Sequence, residues 1–197
     1  MNNFYINDIK MTFKINGFDE EFKRISAIGD GSCMFHSILQ SFNKTYIESS
    51  DKEKIIICRT FRDDLSNILD EKIDGVMCYD QLSRGELREI SENVPEASLH
   101  NMKNSLKSKE WGDFRFLELV SNVLNLNIFI ISSDTRKLYI TGDPELFLKD
   151  RDSIIIMNSS NIHFDTVGVK TQIGTRTLFD NNEPLIQKLT SKLYKGV

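Results

Sequence analysis

The chain has 197 residues, 40% of them hydrophobic and 27% charged, with a net charge of −4 and a sequence pI near 5.5. That length can bury a core without staples, and that apolar content excludes a disordered chain. The acidic balance argues against a dedicated nucleic-acid binder, which carries a basic face, and apolar runs of about four residues fall far short of the roughly 20 a membrane helix needs.

Taken in chain order, Met11-Thr12-Phe13-Lys14-Ile15 alternates apolar and polar, which predicts a strand, and Asn16-Gly17 a turn. The apolar run Ile25–Ile28 leads into Gly29-Asp30-Gly31-Ser32-Cys33, where two glycines permit a tight path. Phe35, Ile38, Leu39 and Phe42 then recur at helical spacing. A longer helix is expected over 50–70, with Ser50 or Asp51 as cap and Ile57, Phe61, Leu65, Ile68 and Leu69 as its apolar stripe. Weaker helices are expected at 84–92 and 96–106, and a stronger one at 113–126.

After that the period changes. Asn127–Ser132 reads as a buried strand, Leu138–Thr141 as its hairpin partner, and Ser153–Asn158 and Ile162–Val169 as two more strands. A closing helix is expected at 183–193. Helices in the middle and strands late indicate an α+β class. No repeat or proline-rich linker divides the chain, so residues 1–197 read as one domain. Residues 1–14 hold no signal-peptide apolar stretch. Cys33, Cys58 and Cys78 are odd in number, widely spaced and free of CxxC, which favours free thiols in a reducing compartment.

Chemistry concentrates at few positions. Gly29-Asp30-Gly31 is no phosphate loop: Met34 stands where a dinucleotide fingerprint needs glycine, and no Gly-Lys-Ser/Thr follows. Cys33 sits where a glycine turn meets a helix. The macrodipole favours thiolate there, and unpaired backbone amides could hold an oxyanion. Local context leaves a buried structural cysteine equally open. His36, one turn on, reads as a packing histidine with no acid obviously placed to orient it, and His100 as solvated. His163 and Asp165 are two apart on a strand and so share a face, where an acid can fix the imidazole tautomer. Cysteine precedes histidine by about 130 residues, the order and gap of papain-like proteases. Cys33-x-x-His36 lacks the second ligand pair a zinc site needs, so no metal and no cofactor are expected.

Asp30-Gly31-Ser32-Cys33-Met34-Phe35-His36 resembles the cysteine box of the ovarian tumour (OTU) deubiquitinases, and His163-Phe164-Asp165-Thr166-Val167 resembles their histidine box. Trp111-Gly112-Asp113, followed by Leu117 and Leu124, resembles the middle signature. The resemblance spans about residues 22–169; Ser32 and Met34 replace the commoner Asn and Leu, both conservatively. It implies a papain-like α+β fold, with a central twisted β-sheet packed between helical regions. It implies Cys33 as nucleophile, His163 as base, Asp165 as its acid, and Asp30, Gly31 and Cys33 around the oxyanion site. Trp111, Ile162 and Phe164 would line a narrow channel for a Gly-Gly tail. The segments before and after look like additions, 1–21 and 170–197.

The activity so implied is hydrolysis, through a thioester, of the isopeptide bond after the C-terminal glycine of ubiquitin or a ubiquitin-like modifier. The expected partners are ubiquitin or polyubiquitin chains, with no nucleic acid and no membrane, and the chain a monomer. The rival is a catalytically inactive fold of this type that binds ubiquitin as an interaction module. Abundant Ile, Asn and Lys point to an AT-rich genome, of a virus or an intracellular bacterium. The expected location is therefore cytoplasmic, the host cytosol for such a source.

Overall fold

A computed structural model describes residues 5–6, 11–15, 17–73, 75–77, 98–108, 115–134, 138–140, 151–160 and 162–194. The helix expected at 84–92, Cys78, and Trp111-Gly112-Asp113 lie outside the described residues.

Strands β1 (Tyr5–Ile6), β2 (Met11–Phe13) and β3 (Phe22–Ile25) precede helices α1 (Cys33–Phe42), α2 (Lys44–Glu48) and α3 (Asp51–Ile68). A small hairpin, β4 (Lys72–Ile73) and β5 (Val76–Met77), precedes helices α4 (Leu99–Lys107) and α5 (Arg115–Leu124). The chain then runs through β6 (Leu126–Ser132), β7 (Leu138–Ile140), β8 (Asp152–Ser159), β9 (His163–Thr171), β10 (Gly174–Arg176) and β11 (Leu178–Phe179) to α6 (Pro184–Tyr194). The capping expectation is met at Ser50: its hydroxyl accepts from the Glu53 amide, and the Glu53 carboxylate accepts from the Ser50 amide at 2.8 Å.

Among the described residues nine strands join one sheet, of order β1-β10-β9-β8-β6-β7, with β3 paired to β9, β2 to β3 and β11 to β8. The β6–β8 pair is parallel and the other pairs are antiparallel. The expected hairpin of β6 with β7 is present, in the register Ile130↔Tyr139.

The middle strands are apolar without alternation because both their faces are covered. Ile128, Ile130, Ile154, Ile156 and Phe164 turn toward α1, α3, α4 and α5, packing with Phe35, Ile38, Leu65, Met102 and Phe116. Phe129, Ile131, Ile155, Met157, Val167 and Val169 turn the other way, onto Leu185, Ile186 and Leu189 of α6 and onto Phe18, Phe22 and Phe179. The result is α+β, a sheet with helices on both sides. The segments outside 22–169 pack onto this core. They supply Phe18, Phe179, Leu185, Ile186 and Leu189 to the second apolar layer.

Gly168 shows how closely the late strands cross. A Cβ there would stand 2.4 Å from Thr175 Cγ2 and 2.8 Å from the Arg176 carbonyl oxygen. Thr166 and Thr177 seat α1 on this sheet, donating to the carbonyls of Ser37 and Ser41 at 2.7 Å each. The Thr166 bond holds α1 against β9, and so Cys33 near the start of that strand.

Candidate active site

Cys33 is the first residue of α1, and Gly31 before it turns through φ +92°, a conformation that favours glycine. The Asp30 carboxylate accepts from the Ser32 amide at 2.9 Å, closing a tight turn ahead of the helix. No side chain caps α1 among the described residues. The Ser32 hydroxyl, the natural cap, instead accepts from Arg62 Nη1 at 2.6 Å.

The sulfur lies between the backbone groups that flank His163. It is 4.0 Å from the Ile162 carbonyl oxygen, and the Phe164 and Met34 amides point to it, favouring thiolate. Burial nevertheless outweighs those amides and pushes the Cys33 thiol above its ordinary pKa, with the Asp165 charge adding to the rise. At 8% exposure, the cost of burying charge is the largest influence on this thiol.

His163 opens β9, and its Nε2 is 3.0 Å from Asp165 Oδ1, as the two-residue spacing on one strand face requires. Asp165 is 1% exposed and more heavily engaged than the sequence reveals. Its Oδ1 also accepts from the Ala27 amide at 2.8 Å, and its Oδ2 from Arg24 Nε at 2.5 Å. With Oδ1 held by Ala27, the carboxylate is fixed, and it fixes the ring in turn.

Arg24 is the residue that sequence reading missed. It sits on β3 opposite Val167 of β9, which brings its guanidinium to the neighbouring Asp165. An arginine two residues after Phe22 on an apolar-polar run was the one available signal. Arg62 was also missed. It is buried at 3% exposure, donates to the Leu106 and Ser105 carbonyls at 3.0 and 2.6 Å, and lies over the Phe35 ring. It ties the C-terminus of α4, where carbonyls attract cations, to Ser32 next to the thiol.

Of the residues expected to line a substrate channel, Ile162 is 55% exposed beside the thiol. Phe164 is a correction. It alternates away from His163 and is 3% exposed within the helix-side core, so its ring supports the site from beneath and offers no surface to a ligand. Cys58 is 1% exposed, with its thiol raised to about 12 mainly by burial. Asp30, 31% exposed, turns its carboxylate back onto its own loop. Among the described residues no three His, Cys, Asp or Glu side chains converge in a way that could hold a metal ion. No helix there is long and apolar enough to cross a membrane.

No family model matches the chain, and no curated protein does. Solved structures do. An ovarian tumour (OTU) domain in complex with ubiquitin superposes with a TM-score of 0.57 at 19% identity, covering 93% of this chain and 94% of that one. The viral OTU domain protease from Dera Ghazi Khan virus gives 0.49 at 15% identity, over 86% of this chain and 97% of that one. The Hazara virus OTU bound to ubiquitin gives 0.48 at 16% identity, over 87% and 96%. The first likeness shows that this chain has the OTU fold.

Proposed function

We propose that this chain, with the fold of an OTU domain, is a cysteine protease that removes ubiquitin or a ubiquitin-like modifier from lysine. The observation that carries the reading is the convergence at one point of the fold of a thiol at a helix start and a histidine held by a buried carboxylate. The OTU domain it superposes on was solved with ubiquitin bound, which supports ubiquitin as the partner.

In this reading His163 takes the Cys33 proton as the sulfur attacks the carbonyl carbon of the terminal glycine. The carbonyl π electrons move to oxygen, where backbone amides of the Gly31–Cys33 turn receive the charge. The C–N bond then breaks, the imidazolium gives its proton to the lysine amine, and a thioester remains. Water, deprotonated by His163, attacks the thioester and restores the thiol. A raised thiol pKa suits this order, because the sulfur then keeps its proton until the attack. Ile162 and Trp111 remain the candidates for lining the tail channel. The setting that keeps Cys33 a free thiol is a reducing one, the cytosol, of the host if the source is a virus or an intracellular bacterium.

The test is turnover of a ubiquitin C-terminal fluorogenic amide and of a di-ubiquitin panel by wild type and Cys33→Ala. The reading requires wild-type cleavage that Cys33→Ala abolishes. Ubiquitin binding with no cleavage by wild type would instead establish the interaction-module reading.

A further inference from the structure

His36 was expected to be a packing histidine without an acid, and it is fully buried. Its surroundings say more. Nδ1 lies 2.6 Å from the Tyr46 hydroxyl, and Nε2 lies 3.2 Å from Asp30 Oδ1, at an angle short of a well-formed hydrogen bond. Asp30 Oδ1 is the same oxygen that accepts from the Ser32 amide. A chain of contacts therefore runs from Tyr46 on α2, through His36 on α1, to the turn that carries Cys33.

The direction of the protons follows from burial. The Tyr46 phenol is fully buried and has no second partner among the described residues. A phenol proton so enclosed must go to an acceptor, and only Nδ1 is within reach. The ring is then neutral with its proton on Nε2, the atom facing Asp30. Burial also lowers the pKa of His36, in the same sense, against the opposing pull of Asp30 and with a small contribution from Arg62 and Lys54. The ring is itself fully buried, so turning it over requires its neighbours to move.

We propose that His36 is a positioning residue: held in one tautomer by Tyr46, it presents Nε2–H to Asp30 and so keeps the Asp30–Cys33 turn shaped to receive the oxyanion. This rests on the proposed protease reading for its consequence, but not for its geometry. The Asp30 carboxylate does not touch the reacting carbon. It accepts from Ser32, and its orientation decides where the Gly31 and Cys33 amides point.

The experiment compares His36→Leu, His36→Gln and Tyr46→Phe, with three readouts. Imidazole ¹⁵N shifts of wild type should show His36 neutral and Nε2-protonated between about pH 5 and pH 8, and Tyr46→Phe should admit the other tautomer. Hydrogen exchange at the Ser32 amide should quicken at least tenfold in His36→Leu, and less in His36→Gln, whose amide can still donate to Asp30. The kcat on the fluorogenic ubiquitin amide should fall on the order of 10-fold to 100-fold in His36→Leu with KM little moved, and His36→Gln should recover part of it. Exchange that quickens equally, with kcat that falls equally, in the Leu and Gln variants would overturn the proposal in favour of plain packing, as would an Nδ1-protonated or charged ring in wild type. If wild type turns over no ubiquitin substrate, the protease reading fails by itself, and the tautomer and the Ser32 exchange rates still decide the role of His36.

Discussion

Cys33 carries two opposed influences, and their balance is measurable. Amides of Phe164 and Met34 draw the thiol toward thiolate, while burial pushes it the other way and wins. Iodoacetamide alkylation of Cys33 should therefore rise with pH through an inflection above the usual thiol value of about 8.5. An inflection near neutrality would mean a preformed thiolate–imidazolium pair. Asp165 makes a second case at this scale. Its hold on His163 depends on Arg24 and on the Ala27 amide. Arg24→Gln should lower kcat about 10-fold to 100-fold while Tm moves little, because a misplaced base costs rate through geometry. Unchanged kcat would show that Ala27 alone suffices. His36 adds a stability effect with a definite sign. Its folded pKa is lowered, so below about pH 6.5 the unfolded chain binds a proton that the folded chain refuses. Stability should fall as pH drops through that value, until the folded value is passed, and His36→Gln should remove this part of the acid dependence in a Tm-versus-pH series.

At the scale of elements, what could be read beforehand follows from local patterning. The Ser50 capping box, the α3 stripe and the β6–β7 hairpin are short-range signals, and each is present. So is the pairing of His163 with Asp165, because period two is a property of one strand. The helix expected from 96 begins at Leu99, where the Ser98 hydroxyl accepts from the Asn101 amide as its cap. What was hidden is non-local. Arg24 is 141 positions from Asp165, beyond any window of sequence, and Tyr46, only 10 positions from His36, meets it because α2 folds back on α1, which no periodicity encodes. Phe164 misled for the opposite reason: a resemblance marked it as part of a channel, while strand alternation, legible in the sequence, already put it on the face away from His163. Gly168 belongs here too. Gly168→Ala forces a methyl group into the Arg176 carbonyl and the Thr175 side chain, and should cost about 1–3 kcal/mol in chemical denaturation. A loss under about 0.5 kcal/mol would show that β10 can slide away.

Across the whole molecule, the sheet is held from both sides, and the second side is built from the ends of the chain. Ile186 of α6 is fully buried against the face of β6, β8 and β9 that the other helices leave open. Lys188 and Lys192 of α6 lie over the Phe18 ring at 5.1 and 4.5 Å, which joins the C-terminal helix to the N-terminal strands. Ile186→Ala should therefore destabilise the entire fold by about 2–5 kcal/mol, with one cooperative transition. A separate low-temperature step would show the ends to be an independent layer. This architecture explains why a thiol at residue 33 and a histidine at residue 163 meet: α1 is tied to β9 through Thr166 and to the β10–β11 junction through Thr177. The central claim is that this meeting is a protease centre, and the most direct measurement is adduct mapping with a ubiquitin bearing a C-terminal electrophile. The account predicts a single covalent adduct on Cys33, formed by wild type and lost in His163→Ala and Cys33→Ala. No adduct with wild type, or one that maps to Cys58 or Cys78, would contradict it.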